Sequence, residues 1–135
     1  MSYPIEKIEG IGPAYAAKLT AAGIKTTDDL LQRAAAPKGR EELATATGLS
    51  SKLMLKWANM SDLMRIKGVG EEYSDLLEAA GIDTVKELRT RNAENLTAAM
   101  VKVNAEKKLV RVVPSLSAVT QWIAQAKDLP PVLTY

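Results

Sequence analysis

The chain has 135 residues, 47% hydrophobic and 25% charged, which is enough apolar material for one domain or two small ones and too apolar for a disordered segment. It contains no Cys and no His, which excludes disulfides, thiol and imidazole chemistry, and any Cys/His metal site. With 18 basic and 16 acidic residues the net charge is only +2, so a nucleic-acid function has to come from local geometry and from where the charges fall.

Aromatic residues amount to 4%, with no Phe, which argues against a base-stacking surface for single strands. No apolar run reaches the length of a membrane span, and the N-terminus lacks the apolar core of a secretion signal. The expected setting is therefore cytoplasmic, without membrane contact, and the absence of disulfides suits a reducing compartment.

In chain order, the first signal is Ile8-Glu9-Gly10-Ile11-Gly12, followed by Pro13 where a proline suits a first helical turn. The helix that follows is predicted to bury Tyr15, Leu19 and Ala22 and to stop at Gly23, a left-handed C-cap. Thr26 then caps a second helix, with Asp29 at the capping-box position and Leu30 and Leu31 inside. After a connection at 36–39, a helix reaches Gly48, turns through Leu49 and restarts with Ser50 as N-cap. In the restarted helix Trp57 stands at helical spacing with Leu53 and reads as a core anchor.

Near 59–61 the chain begins again. Residues 66–88 align without a gap on residues 8–30, and 11 positions are identical, among them Gly10/Gly68, Gly12/Gly70, Tyr15/Tyr73, Gly23/Gly81 and Thr26/Thr84. The same grammar recurs: a helix after Gly70, a stop at Gly81, a cap at Thr84 and Glu87 at the box position. A degenerate second turn is expected at 101–106, with Asn104 as cap. That spacing is shorter than in the first half, with the missing residues mapped onto the 36–39 loop. A last helix is predicted over about 115–127, with Trp122 beside Val119 and Ile123 as core, and the tail 128–135 is extended by Pro130 and Pro131. The tail reads either as an extended terminus on the surface or as a partner motif.

No strand pattern occurs, so the expected fold class is all-α. It comprises a first unit at 1–60, a second at 61–114, and a C-terminal helix with its tail at 115–135.

The stretch Ile8-Glu9-Gly10-Ile11-Gly12-Pro13-Ala14-Tyr15-Ala16-Ala17-Lys18-Leu19, with its second copy from Ile66 to Leu77, resembles the helix-hairpin-helix motif. Two such motifs joined by a connector helix look like the pseudo-twofold units of recombinases, repair nucleases and the C-terminal domain of the RNA polymerase alpha subunit. Over roughly residues 3–127 the chain is similar to an uncharacterised bacterial family of tandem units of this kind. The resemblance implies sequence-tolerant contact with the sugar-phosphate backbone of a duplex, through main-chain amides at the hairpin. The first amides of a helix have no internal partners and carry partial positive charge, so an anionic oxygen is their natural ligand.

On this reading Gly10, Ile11, Gly12 and Lys18 form the primary contact, with Gly48, Ser50 and Lys52 as its partner on one nucleic-acid backbone. The glycines admit a phosphate without a Cβ in the way, Ile11 pins the two helices and Lys18 reaches the same phosphate or its neighbour. Gly68, Val69 and Gly70 are weaker, because Glu71, Glu72, Asp75 and Glu78 fall on the helix that would face the phosphate. Lys107, Lys108 and Arg111, with Lys102, are either a second backbone contact or a solvated helix face.

The expected partner is duplex DNA, with RNA and a protein partner as alternatives, and no cofactor or metal. No nucleophile–base set and no Gly-x4-Gly-Lys phosphate loop occurs, so the chain reads as non-catalytic. The alternative is a protein-interaction or scaffold module in which the Gly-apolar-Gly turns only pack helices.

Overall fold

The computed structural model describes residues 2–135. Among them the secondary structure is all-α: eight α-helices and one 3₁₀ turn, with no strand and a single isolated bridge between Pro4 and Thr26. The chain forms two compact units, one running to Asp62 and including Val132–Tyr135, the other spanning Leu63–Pro131.

The first unit starts with the 3₁₀ turn Ile5–Lys7, held down where Ile5 N–H donates to Lys25 O at 3.1 Å and Thr27 N–H to Tyr3 O at 2.8 Å. α1 (Pro13–Ala21) has Pro13 at its first position and ends at Ala22, after which Gly23 takes φ 89°. α2 (Thr27–Arg33) opens on a complete capping box. Thr26 Oγ1 accepts from Asp29 N–H at 3.1 Å, and Asp29 Oδ2 accepts in return from the N–H groups of Thr26 and Lys25.

α3 (Pro37–Thr47) starts with a proline and ends at left-handed Gly48, and α4 (Ser51–Leu63) follows, with Ser50 Oγ accepting from Leu53 N–H. Ile5, Ile8, Leu19, Ile24, Leu30, Leu43, Met54 and Trp57 in this unit are fully buried. Tyr15, expected in that core, is instead 37% exposed, and α1 buries Ala16 and Leu19. The Tyr15 ring needs only one face covered, and Trp57 covers it, with ring centroids 5.3 Å apart.

α2 and α3 pack closely, and Gly39 is where they meet: a Cβ there would run into the carbonyl of Arg33. The neighbouring Arg40 is buried without a carboxylate. Its guanidinium instead donates to Ala34 O at 2.9 Å, Ala35 O at 3.1 Å and Thr134 O at 2.7 Å. Thr134 N–H in turn donates to Ala35 O at 2.8 Å, and Leu133 is buried, so the last residues of the tail are fastened into the first unit.

The second unit repeats the local grammar. α5 (Glu71–Ala79) follows Gly70, Gly81 takes φ 94°, and α6 (Val85–Leu88) is capped by Thr84, whose Oγ1 accepts from Glu87 N–H. The remaining helices are α7 (Ala93–Lys107), capped by Asn92, and α8 (Leu116–Asp128), capped by Ser115. The turn expected at 101–106 is not there. No Gly or Pro interrupts that stretch, so α7 runs through it to Lys107 and ends at Lys108 in a left-handed conformation, φ 52°.

Asn104 is therefore inside the helix rather than capping one, and its amide bonds both the N–H and the carbonyl of Val110. The break between α7 and α8 falls at 108–115, and α8 packs on α6 and α7 inside the second unit. Its buried face, Val119, Trp122, Ile123 and Ala126, completes a core with Ile66, Val69, Leu76, Leu77 and Ile82.

Gly39→Ala is expected to cost about 1–3 kcal/mol in urea denaturation, because the obstacle is backbone and cannot rotate away; a stability equal to that of the parent would contradict the close approach of α2 and α3. The Asp29 carboxyl is held below its ordinary value of 3.8, first by the hydrogen bond from the Lys25 N–H. A depressed folded value means the stabilisation is present above the unfolded pKa and is lost as pH falls through the folded one. Asp29→Asn should therefore flatten the acid limb of melting temperature against pH below about pH 4, and an unchanged acid limb would show that the box contributes nothing.

Candidate nucleic-acid interface

The turn before α1 is made by backbone. Ile11 N–H closes onto Ile8 O at 3.1 Å, Gly10 takes φ 94°, and Gly12 is extended at the N-cap. Gly10 at this φ is the residue type that tolerates the left-handed conformation. Ile8 and Ile11 are buried, as an inward-pinning role for Ile11 requires, while Gly10, Gly12, Pro13 and Ala14 are exposed. The first intrahelical bond runs from Ala16 N–H to Gly12 O. The N–H groups of Ala14 and Tyr15 thus precede the ladder, Pro13 has none to offer, and among the described residues no side chain caps the helix. No acidic residue lies in the first turn of α1. Lys18 is exposed on the same helix, one turn beyond Ala14.

The second turn of the same unit differs. Gly48 is left-handed, φ 73°, with nothing within 4 Å of a Cβ placed on it. Ser50 is committed to capping α4, so its oxygen already occupies one of the amides that a ligand would use. Ser51 and Lys52 remain exposed.

The copied turn before α5 has the same backbone, with Val69 N–H onto Ile66 O at 3.0 Å and Gly68 at φ 98°. Its surroundings differ from those of the first turn. Glu71 and Glu72 occupy the first turn of α5. The position matching Lys18 is Leu76, fully buried. The loop between α7 and α8 reaches this helix: Tyr73 Oη donates to Val112 O at 2.9 Å, and Arg111 Nη2 lies 3.5 Å from Glu72 Oε1.

Arg111, one of the four cations of the later basic cluster, is thus paired with an acid of α5, although both groups are exposed and such a pair contributes about 0–1 kcal/mol. Lys102 lies within α7, Lys107 lies in its last turn and Lys108 is its C-cap, the end of a helix that favours cations. In addition, Gln125 Oε1 accepts from the Lys67 N–H at 2.9 Å, which takes up an amide at the entrance of this turn.

Sequence reasoning placed both tryptophans in the core and missed what they touch there. Trp57 is 1% and Trp122 4% exposed. Each packs at a tilt on the tyrosine that follows its glycine turn, Tyr15–Trp57 at 5.3 Å and Tyr73–Trp122 at 5.2 Å. The indole nitrogen of each lies against the first glycine of that turn, 3.9 Å from a Cβ built on Gly10 and 3.1 Å from one built on Gly68. The available signal was order: one Tyr and then one Trp follow each copy of the glycine pair.

Among the described residues no helix is long and apolar enough to cross a membrane, and no cluster of three or more acidic residues is arranged to hold a metal ion.

Gly68→Ala should destabilise the chain more than Gly10→Ala in urea denaturation. Both place a side chain at positive φ, at a cost of about 1–2 kcal/mol, but only the methyl added at position 68 would also press on an indole. The reverse order would mean that the Trp122 contact is looser than its geometry states.

The model of a family described as a domain of unknown function, DUF4332, matches residues 9–129, and the chain belongs to that family. No curated protein and no solved structure matches it.

Proposed function

We propose that this DUF4332 protein is a non-catalytic module that binds duplex nucleic acid, DNA in preference to RNA, by its sugar-phosphate backbone and with little sequence preference. Its glycine turns act in this reading as helix-hairpin-helix elements. The observation that carries it is the uncapped start of α1: the N–H groups of Ala14 and Tyr15 precede the helical ladder, with exposed glycines beside them and no carboxylate in the first turn. An anionic oxygen satisfies such amides and is favoured by the helix dipole.

Gly10, Ile11, Gly12 and Lys18 are then the primary contact, Ile11 by holding the turn from below. Gly48, Ser50 and Lys52 supply the secondary one, with Ser50 shaping the helix start and Lys52 adding the charge. Gly68, Val69 and Gly70 keep the backbone form without the electrostatics, because Glu71 and Glu72 hold the place of the anion. They serve as structure.

A second reading, a protein-interaction or scaffold module, is favoured by one observation in the second unit. Val112 is 71% exposed, and Val101 and Leu116 are exposed as well, so apolar surface is available there for a partner.

A short duplex titrated over a range of salt concentrations separates the two. Backbone binding should weaken with a log–log slope of about −0.9 per phosphate neutralised, with dissociation constants of order 10⁻⁴–10⁻⁶ M near physiological salt. Lys18→Gln and Lys52→Gln should each reduce the magnitude of that slope by about 0.9 and leave the melting temperature unchanged. Absence of binding at low salt would end the nucleic-acid reading and leave the protein-interaction one.

A further inference from the structure

The glycine turn before α1 has a donor beneath it that does not come from the main chain. Trp57 is only 1% exposed, and its Nε1 is the atom that a side chain on Gly10 would meet first, at 3.9 Å. Among the described residues the indole N–H has no protein acceptor, and no buried side-chain nitrogen is left without a partner, so this nitrogen keeps some contact with solvent. A tryptophan this deeply buried ordinarily finds a hydrogen-bond partner for its nitrogen within the protein.

Tyr15 closes one side: its ring packs on Trp57 at 58°, and its own N–H is one of the amides ahead of the helical ladder. Beside the indole nitrogen stands Gly10, which is exposed and has no Cβ. Gly10 is favoured at this position by its φ of 94°, and a Cβ there would stand 3.9 Å from the indole nitrogen.

We propose that the indole N–H of Trp57 is a donor of the anion site at the Gly10–Gly12 turn, binding an oxygen of the same phosphate diester that the amides of α1 hold. The inference rests on the nucleic-acid reading above and adds to it a side chain that no charge pattern would select. An indole is a neutral donor. Its contact strengthens binding without releasing a counterion, whereas Lys18 contributes through charge. In the second unit Trp122 has the same relation to Gly68, but Glu71 and Glu72 follow the turn, so no anion is held there.

The chain contains two tryptophans, so a ¹⁵N-labelled sample of the full chain shows two indole N–H correlations, assigned by Trp57→Phe. Titration with a short DNA duplex at low salt should move the Trp57 correlation downfield in a saturable way and leave that of Trp122 in place. Trp57→Phe should weaken duplex binding roughly tenfold at every salt concentration with an unchanged salt slope. Because that substitution also trims a core ring, a second variant replaces Trp57 alone by its benzothiophene isostere, which keeps the shape and lacks the N–H; it should show the same loss.

A stationary Trp57 correlation, or an isostere that binds like the parent protein, overturns the inference while steep salt-dependent binding of the parent keeps the backbone reading intact. A parent protein that binds no duplex at low salt removes both.

Discussion

Each unit depends on a glycine in a left-handed turn lying against an indole ring. The turn has to reverse the chain within a few residues, and positive φ at Gly10 and Gly68 achieves this without a steric penalty. At Gly68 the missing Cβ also makes room for Trp122, whose indole nitrogen would lie 3.1 Å from one built there; at Gly10 the corresponding distance to Trp57 is an ordinary 3.9 Å. The tyrosine three residues past the second glycine packs on the same indole at a tilt. A neighbouring glycine and tyrosine and one tryptophan distant in sequence thus hold the start of α1 or α5 in place, and the apolar residue between the glycines, Ile11 or Val69, is buried as the fourth. A helix start fixed in this way presents its amides in a set direction, which is what an anion site needs.

The two copies share this framework and differ in what surrounds it. Around Gly12 the helix start is uncapped, free of acids and followed by an exposed lysine. Around Gly70 two glutamates fill the first turn, the lysine position is a buried leucine, a glutamine binds the entering backbone, and a loop arginine stands beside one glutamate. Carboxylates at a helix N-terminus satisfy the dipole from within the chain, so the second turn is stabilised by the interaction the first one leaves open. The two copies thus share one backbone turn and differ in the charges around it.

Much of this architecture is legible in the linear chain because it is written in local stereochemistry. Gly23 and Gly81 after their helices, Thr26 and Thr84 before the next ones, Pro13 at a first turn and Ser50 as a cap are all where short-range hydrogen bonding and sterics put them. Ile8, Ile11, Leu19, Leu30 and their copies are buried as their spacing indicates. The candidate contacts at Gly10, Gly12 and Lys18 follow from the repeat together with the chemistry of free amides.

Where local rules have no purchase, the chain is harder to read. The 101–106 segment contains Val101, Val103 and Asn104, none of which stops a helix as Gly or Pro does, and α7 runs on because packing against α5 and α8 supports it. Arg40 carries no pattern that marks it for burial; it is buried because the tail returns to offer it a carbonyl from Thr134. Tyr15 reads as core by periodicity and is partly exposed because Trp57 covers only one of its faces. Backbone turns, caps and helix faces are set by interactions spanning a few residues, so the order of amino acids suffices to specify them. The meeting of Trp57 with Gly10, of Arg40 with the tail, and of Arg111 with Glu72 joins residues far apart along the chain, and such pairings exist only once packing has chosen among the many partners each side chain could have had.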